Sequence, residues 1–180
     1  MKGFIVALIE ILLFTIGSIT LRNIYPQLKN INNIIYFWVM LTILTGLWEI
    51  SFIYNYKEVT YLANDLITTN THTWNNNYNI SYLLPCEFSK IFYAEYGAWA
   101  DREYMSHTDD WSRVIESSHC GGCALFSLLA ILFKISGYHN NYLITLSVSM
   151  GTQFMNSLLY MFAYFIQERD PSNINYNSTD

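Results

Sequence analysis

The chain has 180 residues, of which 52% are hydrophobic and 13% charged, with a formal net charge of -5 and a pI near 5.2. Soluble domains carry about a quarter charged residues, so this chain has too little charge to clothe a water-exposed surface, and a bilayer is the better solvent. The acidic balance, with no cluster of Lys and Arg, excludes a nucleic-acid partner, and Cys86, Cys120 and Cys123 suggest no disulfide framework, since two of them open a hydrophobic segment.

The first apolar block, FIVALIEILLFTIGSITL, lies between Lys2 and Arg22 and predicts a helix over about 4–22. A cleaved signal peptide is the rival reading. It is disfavoured because no A-x-A-like site follows the run and an acid, Glu10, sits inside it. A second block, rich in IIYFWVMLTILTGLWEISFIYNY, predicts a helix over about 33–56, long enough to span with some tilt.

Residues 57–113 read as a long polar connection. Its Asn-rich patch THTWNNNYN looks like loop or insertion rather than packed structure. The aromatic and charged stretch EFSKIFYAEYGAWADREYMSHTDDW predicts a short interfacial helix followed by an ordered turn. The third spanning helix is expected over about 114–135, opening with the polar segment IESSHCGGC, which must face protein or a water-filled cavity. The fourth is expected over about 141–167. Ser147, Ser149, Gln153 and Asn156 recur along one side of it, as a helix contact or a cavity wall. A polar tail occupies 168–180. The expected fold is therefore a single all-α membrane domain of four transmembrane helices with a long, partly helical central loop. Arg22, Lys29 and Lys134 place the two short loops on the cytoplasmic side, with the central loop and its Asn79 sequon, and the tail with Asn177, on the other.

Several residues could carry chemistry. Glu49, beside Trp48 in an apolar run, must find a partner, reach an interface or take up a proton; it can equally cap a neighbouring helix. Glu116 and His119, three residues apart, share a helix face and can tune each other's titration, or simply form a polar helix start. Asp101 and Arg102, beside Glu103 and Tyr104, suggest an ion-pair cluster at a cavity mouth, or plain structural pairing. Cys120-Gly-Gly-Cys123 has C-x-x-C spacing, but no second ligand pair and no βαβ pattern accompany it. Its adjacent glycines more simply admit a neighbouring helix. Trp48, Trp99, Trp111, Tyr104 and Tyr160 belong to an aromatic content of 17%, most of it membrane-interface belt, although rings near a buried acid can stabilise a cation.

The order of these features resembles the emopamil-binding protein family, the sterol isomerase and its paralogue, within the wider EXPERA group. LWEISFIYNY is similar to the family's second-helix exit, with Glu49 as its acid. YAEYGAWADREY is similar to the family's W-K-E-Y-G-K-A-D-S-R-Y signature. Asp109 or Asp110, followed by VIESSH, stands where the family has an aspartate and a V-E-x-x-T segment, with Glu116 as the acid. SVSMGTQFMNSLLYMF, followed by Glu168-Arg169-Asp170, resembles the fourth-helix pattern. The likeness covers most of residues 40–170. It departs from the family at Thr45, where the isomerases have histidine, at His119, where they have threonine, and in having no counterpart of their fifth helix.

The resemblance implies a 3β-hydroxysteroid Δ8-Δ7 isomerase of the endoplasmic reticulum membrane, moving a sterol double bond by protonation, passage through a carbocation and loss of a neighbouring proton. Two carboxyls in unlike environments can supply acid and base. Glu49 and Glu116 would be that pair, His119 would relay the proton, and Asp101 and Arg102 would hold the loop. Thr45, Trp48, Tyr104, Gln153, Asn156 and Tyr160 would line the substrate. No metal or organic cofactor is called for by such chemistry. The partners implied are membrane lipid, a sterol or cationic amphiphile, and a second copy of the chain as a homodimer. The competing readings are a non-catalytic sterol, lipid or cationic-amphiphile binder of the EXPERA group and a structural or assembly subunit.

Overall fold

The computed structural model describes residues 1–100 and 110–166, and at positions 110–117, 160 and 163–166 the helical backbone only. Among the described residues five α-helices follow one another: α1 (Gly3–Ile24), α2 (Asn33–Thr69), α3 (Pro85–Trp99), α4 (Asp110–Ile135) and α5 (His139–Ile166). Short 3-10 turns at Pro26–Asn30, Thr73–Asn75 and Ile80–Leu83 make the connections. Among the described residues there is no strand, only an isolated bridge between Lys2 and Asn77.

Local chemistry sets the helix ends. Arg22, in the last turn of α1, complements the negative end of that helix. It also donates to Asn33 Oδ1 at 2.5 Å and to the Ile31 carbonyl at 2.7 Å, and lies over the Tyr36 ring, which ties the end of α1 to the start of α2. Asn32 caps α2 by accepting the Ile34 N–H at 2.9 Å. Asn70, in the left-handed conformation at φ 49°, ends α2 and lets the Thr71 N–H reach the Leu66 carbonyl at 3.0 Å. Gly137, at φ 80°, makes the tight reversal from α4 to α5.

α2 runs on to Thr69, well past the expected end at 56. The membrane-type apolar run stops there, but Val59, Ala63 and Leu66 continue at helical spacing as a buried stripe against Tyr93, Ala94 and Ala98 of α3. At about 1.5 Å per residue its 37 residues extend about 55 Å, beyond the roughly 30 Å of hydrocarbon. Its second half therefore stands outside the apolar layer as one arm of a hairpin with α3. Lys90 fastens this hairpin, 3.2 Å from both Glu58 of α2 and Glu87 of its own helix. The Asn-rich patch is a loop, as expected, with Asn75, Asn76, Asn77 and Asn79 exposed, but it is anchored to the start of α1. Its Asn76 carbonyl accepts the Gly3 N–H at 3.0 Å, Asn75 accepts Lys2 Nζ at 2.7 Å, and Thr73 is buried. A methyl at Gly3 would lie 2.4 Å from the Thr73 carbonyl oxygen, so only glycine permits this seat.

α4 packs antiparallel along the first half of α2. At Gly46 the two helices approach closely, and an added methyl would sit 2.2 Å from Ala124 Cβ. The adjacent glycines of α4 do not play the expected role, since a methyl at Gly122 meets nothing within 4 Å and one at Gly121 only touches Ile50 at 3.9 Å. α5 returns along α4. α1 is held chiefly at its two ends, by the 73–78 segment and α3 at its start and by the 26–31 turn at its finish. Among the described residues three helices are long and apolar enough to cross a membrane, namely α1, α2 and residues Ser118–Ile135 of α4. α5 has the length, at 28 residues, but its polar positions keep it out of that set, so three candidate spans stand among the described residues where four were expected.

Candidate functional site

Glu49 is buried, 8% exposed, in the wall where α2 meets α3. The Tyr93 hydroxyl of α3 donates to its Oε1, and the Tyr93 ring packs on Phe52 with centroids 4.9 Å apart. Two residues after the acid, Ser51 donates to the Cys86 carbonyl at 2.8 Å, and Ser89 donates to Ser51 at 2.9 Å. The sequence-predicted acid thus sits in the α2–α3 seam.

Trp48 points elsewhere, into a hollow of about 180 Å³ between α1 and α2, closed at one end by α3 and the 73–75 turn. Ala7, Glu10, Ile11 and Phe14 of α1 line it, with Leu41, Leu44 and Trp48 of α2, Phe88 and Phe92 of α3, and Trp74. It opens sideways, because Ile11 and Leu41 at its border are exposed. Trp48 stacks obliquely on Phe88 and Phe92, with centroids 5.2 and 5.3 Å away. Glu10 is 5% exposed, more deeply enclosed than Glu49. Its carboxyl interacts with the Trp48 indole, yet the buried Nε1 has no hydrogen bond of normal geometry among the described residues. The sequence reading used Glu10 only against a signal peptide. The signal that could have found it is general: an acid within a spanning helix faces protein or a cavity.

His119 is turned toward α5. Its Nε2 lies 3.1 Å from the Thr152 carbonyl oxygen and 3.5 Å from Cys123 Sγ, which is 3.2 Å from Thr152 Oγ1. Its buried Nδ1 has no partner among the described residues. The polar side of α5 is a helix contact at two of its four predicted positions. Gln153 Oε1 accepts Trp38 Nε1 of α2 at 3.0 Å and Thr42 Oγ1 at 3.3 Å, and Ser149 meets Ser127 of α4 at 2.7 Å. Asn156 is half-buried and Ser147 is exposed. Thr45 bonds back to the Thr42 carbonyl within α2 at 3.2 Å. Among the described residues, Trp48 is thus the one predicted residue that lines the hollow. Asp101, Arg102 and Tyr104 lie outside the described residues, as do the side chains of Glu116 and Tyr160. The α2–α4 register, with Gly46 against Ala124 and Ile50 near Gly121, carries the backbone at 116 to a level about one turn beyond Glu49.

Outside the apolar layer, Glu95 gathers the loop. Its Oε1 is 2.6 Å from His72 Nδ1, its Oε2 takes the Thr73 N–H at 2.8 Å, and His72 stacks on Trp99. Tyr78 and Tyr82 pack together, and burial pushes both phenols above their usual range. Burial alone would pull Lys90 down, but the bonds and charges of Glu58 and Glu87 outweigh it and hold the ammonium above its usual value. Asn79 accepts from the Ser81 N–H at 3.0 Å, which employs the sequon side chain as the cap of a 3-10 turn. Among the described residues, no three His, Cys, Asp or Glu side chains come together as a metal site would need.

No family model, curated protein or solved structure matches the chain.

Proposed function

We propose that this chain is a membrane-embedded binding protein for a lipid-like ligand, a sterol or a cationic amphiphile, as the non-catalytic branch of the group it resembles would be. One observation carries the reading: an apolar, aromatic hollow, with the buried Glu10 in its wall, opens sideways between two spanning helices. Enclosed small-molecule sites run to about 300–1,000 Å³, and this hollow is smaller. It takes one end of a ligand and leaves the remainder in hydrocarbon between α1 and α2, which suits a molecule already dissolved in the bilayer. In this reading α5 is a fourth span, its polar side turned onto α2 and α4, and the membrane is that of the endoplasmic reticulum.

Saturable binding of a tritiated sterol and of a tritiated amphiphilic amine to the full chain in phosphatidylcholine nanodiscs tests it. Filling the hollow with Ala7→Trp should abolish binding while leaving the chain folded. Retained binding would place the ligand elsewhere.

The isomerase reading rests on Glu49, a shielded acid held by a phenol, as a group that could pass a proton. It requires the sterol ring system to reach the α2–α3 seam. Conversion of an 8-ene to a 7-ene sterol by membranes of an isomerase-deficient yeast carrying this chain tests it. Glu49→Gln and Glu116→Gln should then abolish turnover while sparing amine binding in part, and normal turnover in both would refute the assignment.

A further inference from the structure

Residues 78–84, YNISYLL, carry no charged side chain. They leave two large apolar groups in the open, Ile80 at 78% exposure and Leu84, just before α3, at 60%. A single exposed Ile or Leu is ordinary on any protein surface, so the height at which these two are held decides their meaning. Ser51 lies about 27 Å along α2 from Asn33, and its hydroxyl donates to the Cys86 carbonyl at 2.8 Å. Leu84, two residues before Cys86, therefore stands near the end of the roughly 30 Å that the hydrocarbon spans. Phe88 reaches slightly deeper, packing on Trp48 with centroids 5.2 Å apart. At the other end of the segment, the Tyr78 N–H donates to the Met1 carbonyl at 2.7 Å, and just before it the Gly3 N–H donates to the Asn76 carbonyl at 3.0 Å. The segment is thus pinned at both ends to the level where α1 begins and α2 leaves the apolar layer. We propose that residues 78–84 rest in the membrane interface as a foot, with Ile80 and Leu84 inserted among the acyl chains of the bilayer.

Local chemistry agrees. Tyr78 and Tyr82 stack with centroids 4.7 Å apart, and such amphipathic rings gather at headgroup level. Polar groups of the turn pair within it: Asn79 Oδ1 accepts the Ser81 N–H at 3.0 Å and the Ser81 hydroxyl, and the Leu84 N–H donates to the Ser81 carbonyl at 2.9 Å. Internal pairing lowers the cost of bringing backbone up to hydrocarbon. With no charge of its own the segment meets acyl chains rather than headgroup phosphates, so its contact is indifferent to anionic lipid and to salt. The foot holds α3 and the 73–75 turn, which close one end of the hollow, at a constant depth, whatever the hollow binds.

The test places a nitroxide at Ile80→Cys or Leu84→Cys in the full chain carrying Cys86→Ala, Cys120→Ala and Cys123→Ala, in phosphatidylcholine nanodiscs. Tyr61→Cys, exposed on the half of α2 beyond the apolar layer, and Leu12→Cys, exposed on α1, are the water and lipid references. Collision with oxygen relative to a water-soluble nickel complex should be at least about fivefold higher at 80 and 84 than at 61, and close to that at 12, because hydrocarbon excludes the polar complex. Free access of nickel at 80 and 84 overturns the proposal, and so does exclusion of both oxygen and nickel, which would mean cover by protein. Should the cysteine-free chain fail to fold, the double variant Ile80→Asp/Leu84→Asp of the natural chain decides. Its amide exchange over 73–84 should quicken at least about tenfold in nanodiscs as the foot lifts, and unchanged exchange overturns the proposal. A glycan found on Asn79 in protein from a eukaryotic host would also overturn it, because that bulky hydrated group would sit beside Ile80.

Discussion

Tyr93 of α3 donates its hydroxyl to the carboxylate of Glu49, joining the extramembrane hairpin to the spanning half of α2 at a buried point. Tyr93→Phe keeps the ring on Phe52 but takes one donor from an enclosed carboxylate, a loss of about 1–3 kcal/mol. Unfolding in mixed detergent should show the variant less stable by that amount. Phe52→Leu, which leaves the bond intact, should lower stability independently of it. An unchanged Tyr93→Phe would mean that the bond contributes nothing net.

Gly46 sets the distance between α2 and α4. Gly46→Ala puts a methyl 2.2 Å from Ala124 Cβ, so the helices must separate, at about 1–3 kcal/mol for overpacking. Adding Ala124→Gly should restore most of the loss, since it removes the atom in the way. Additive losses in the double variant would show that the contact is not the cause.

Much of the fold is legible locally. α1 starts and ends within two residues of its predicted limits because its hydrophobicity is continuous and Lys2 and Arg22 bound it. The interfacial helix expected in the aromatic stretch is present as α3. The end of α2 was hidden because Val59, Ala63 and Leu66 sit among Lys57, Glu58 and Asp65, so hydropathy falls while the helical period persists. The anchoring of the Asn-rich turn depends on Gly3, a partner far away in the chain, and no local pattern announces it. The hollow has the same character. Trp48 was marked for its neighbour Glu49, yet side chains one residue apart on a helix diverge by about 100°, and Trp48 meets Glu10 instead.

Gln153 was expected to touch substrate and instead joins α5 to α2. Gln153→Leu removes the acceptor for Trp38 Nε1 and Thr42 Oγ1. Bonds of this kind between helices in a membrane contribute about 0.6 kcal/mol on average and up to about 2. The variant should be less stable by about 1 kcal/mol with ligand affinity unaltered. A double-mutant cycle with Trp38→Phe should give a coupling of at least about 0.5 kcal/mol, and independent losses would refute the link.

The hairpin outside the apolar layer should fail first at alkaline pH. Lys90, Tyr78 and Tyr82 all have native pKa values above their ordinary ones of 10.5 and 10.0. As pH rises past those ordinary values, the unfolded chain loses these protons while the folded chain still holds them. Stability contributed by the three groups is thus complete below about pH 10 and disappears as pH climbs through the native values. Melting temperature in nanodiscs should be level near pH 8–9 and fall above about pH 10, with hydrogen exchange in 57–69 and 85–99 accelerating before that of α4. Lys90→Met should melt lower at pH 8, having lost its pairs with Glu58 and Glu87, but decline less steeply above pH 10, since one of the proton-retaining groups is gone. A fall as steep as that of the unmodified chain would remove Lys90 from the account and leave the two phenols to explain it.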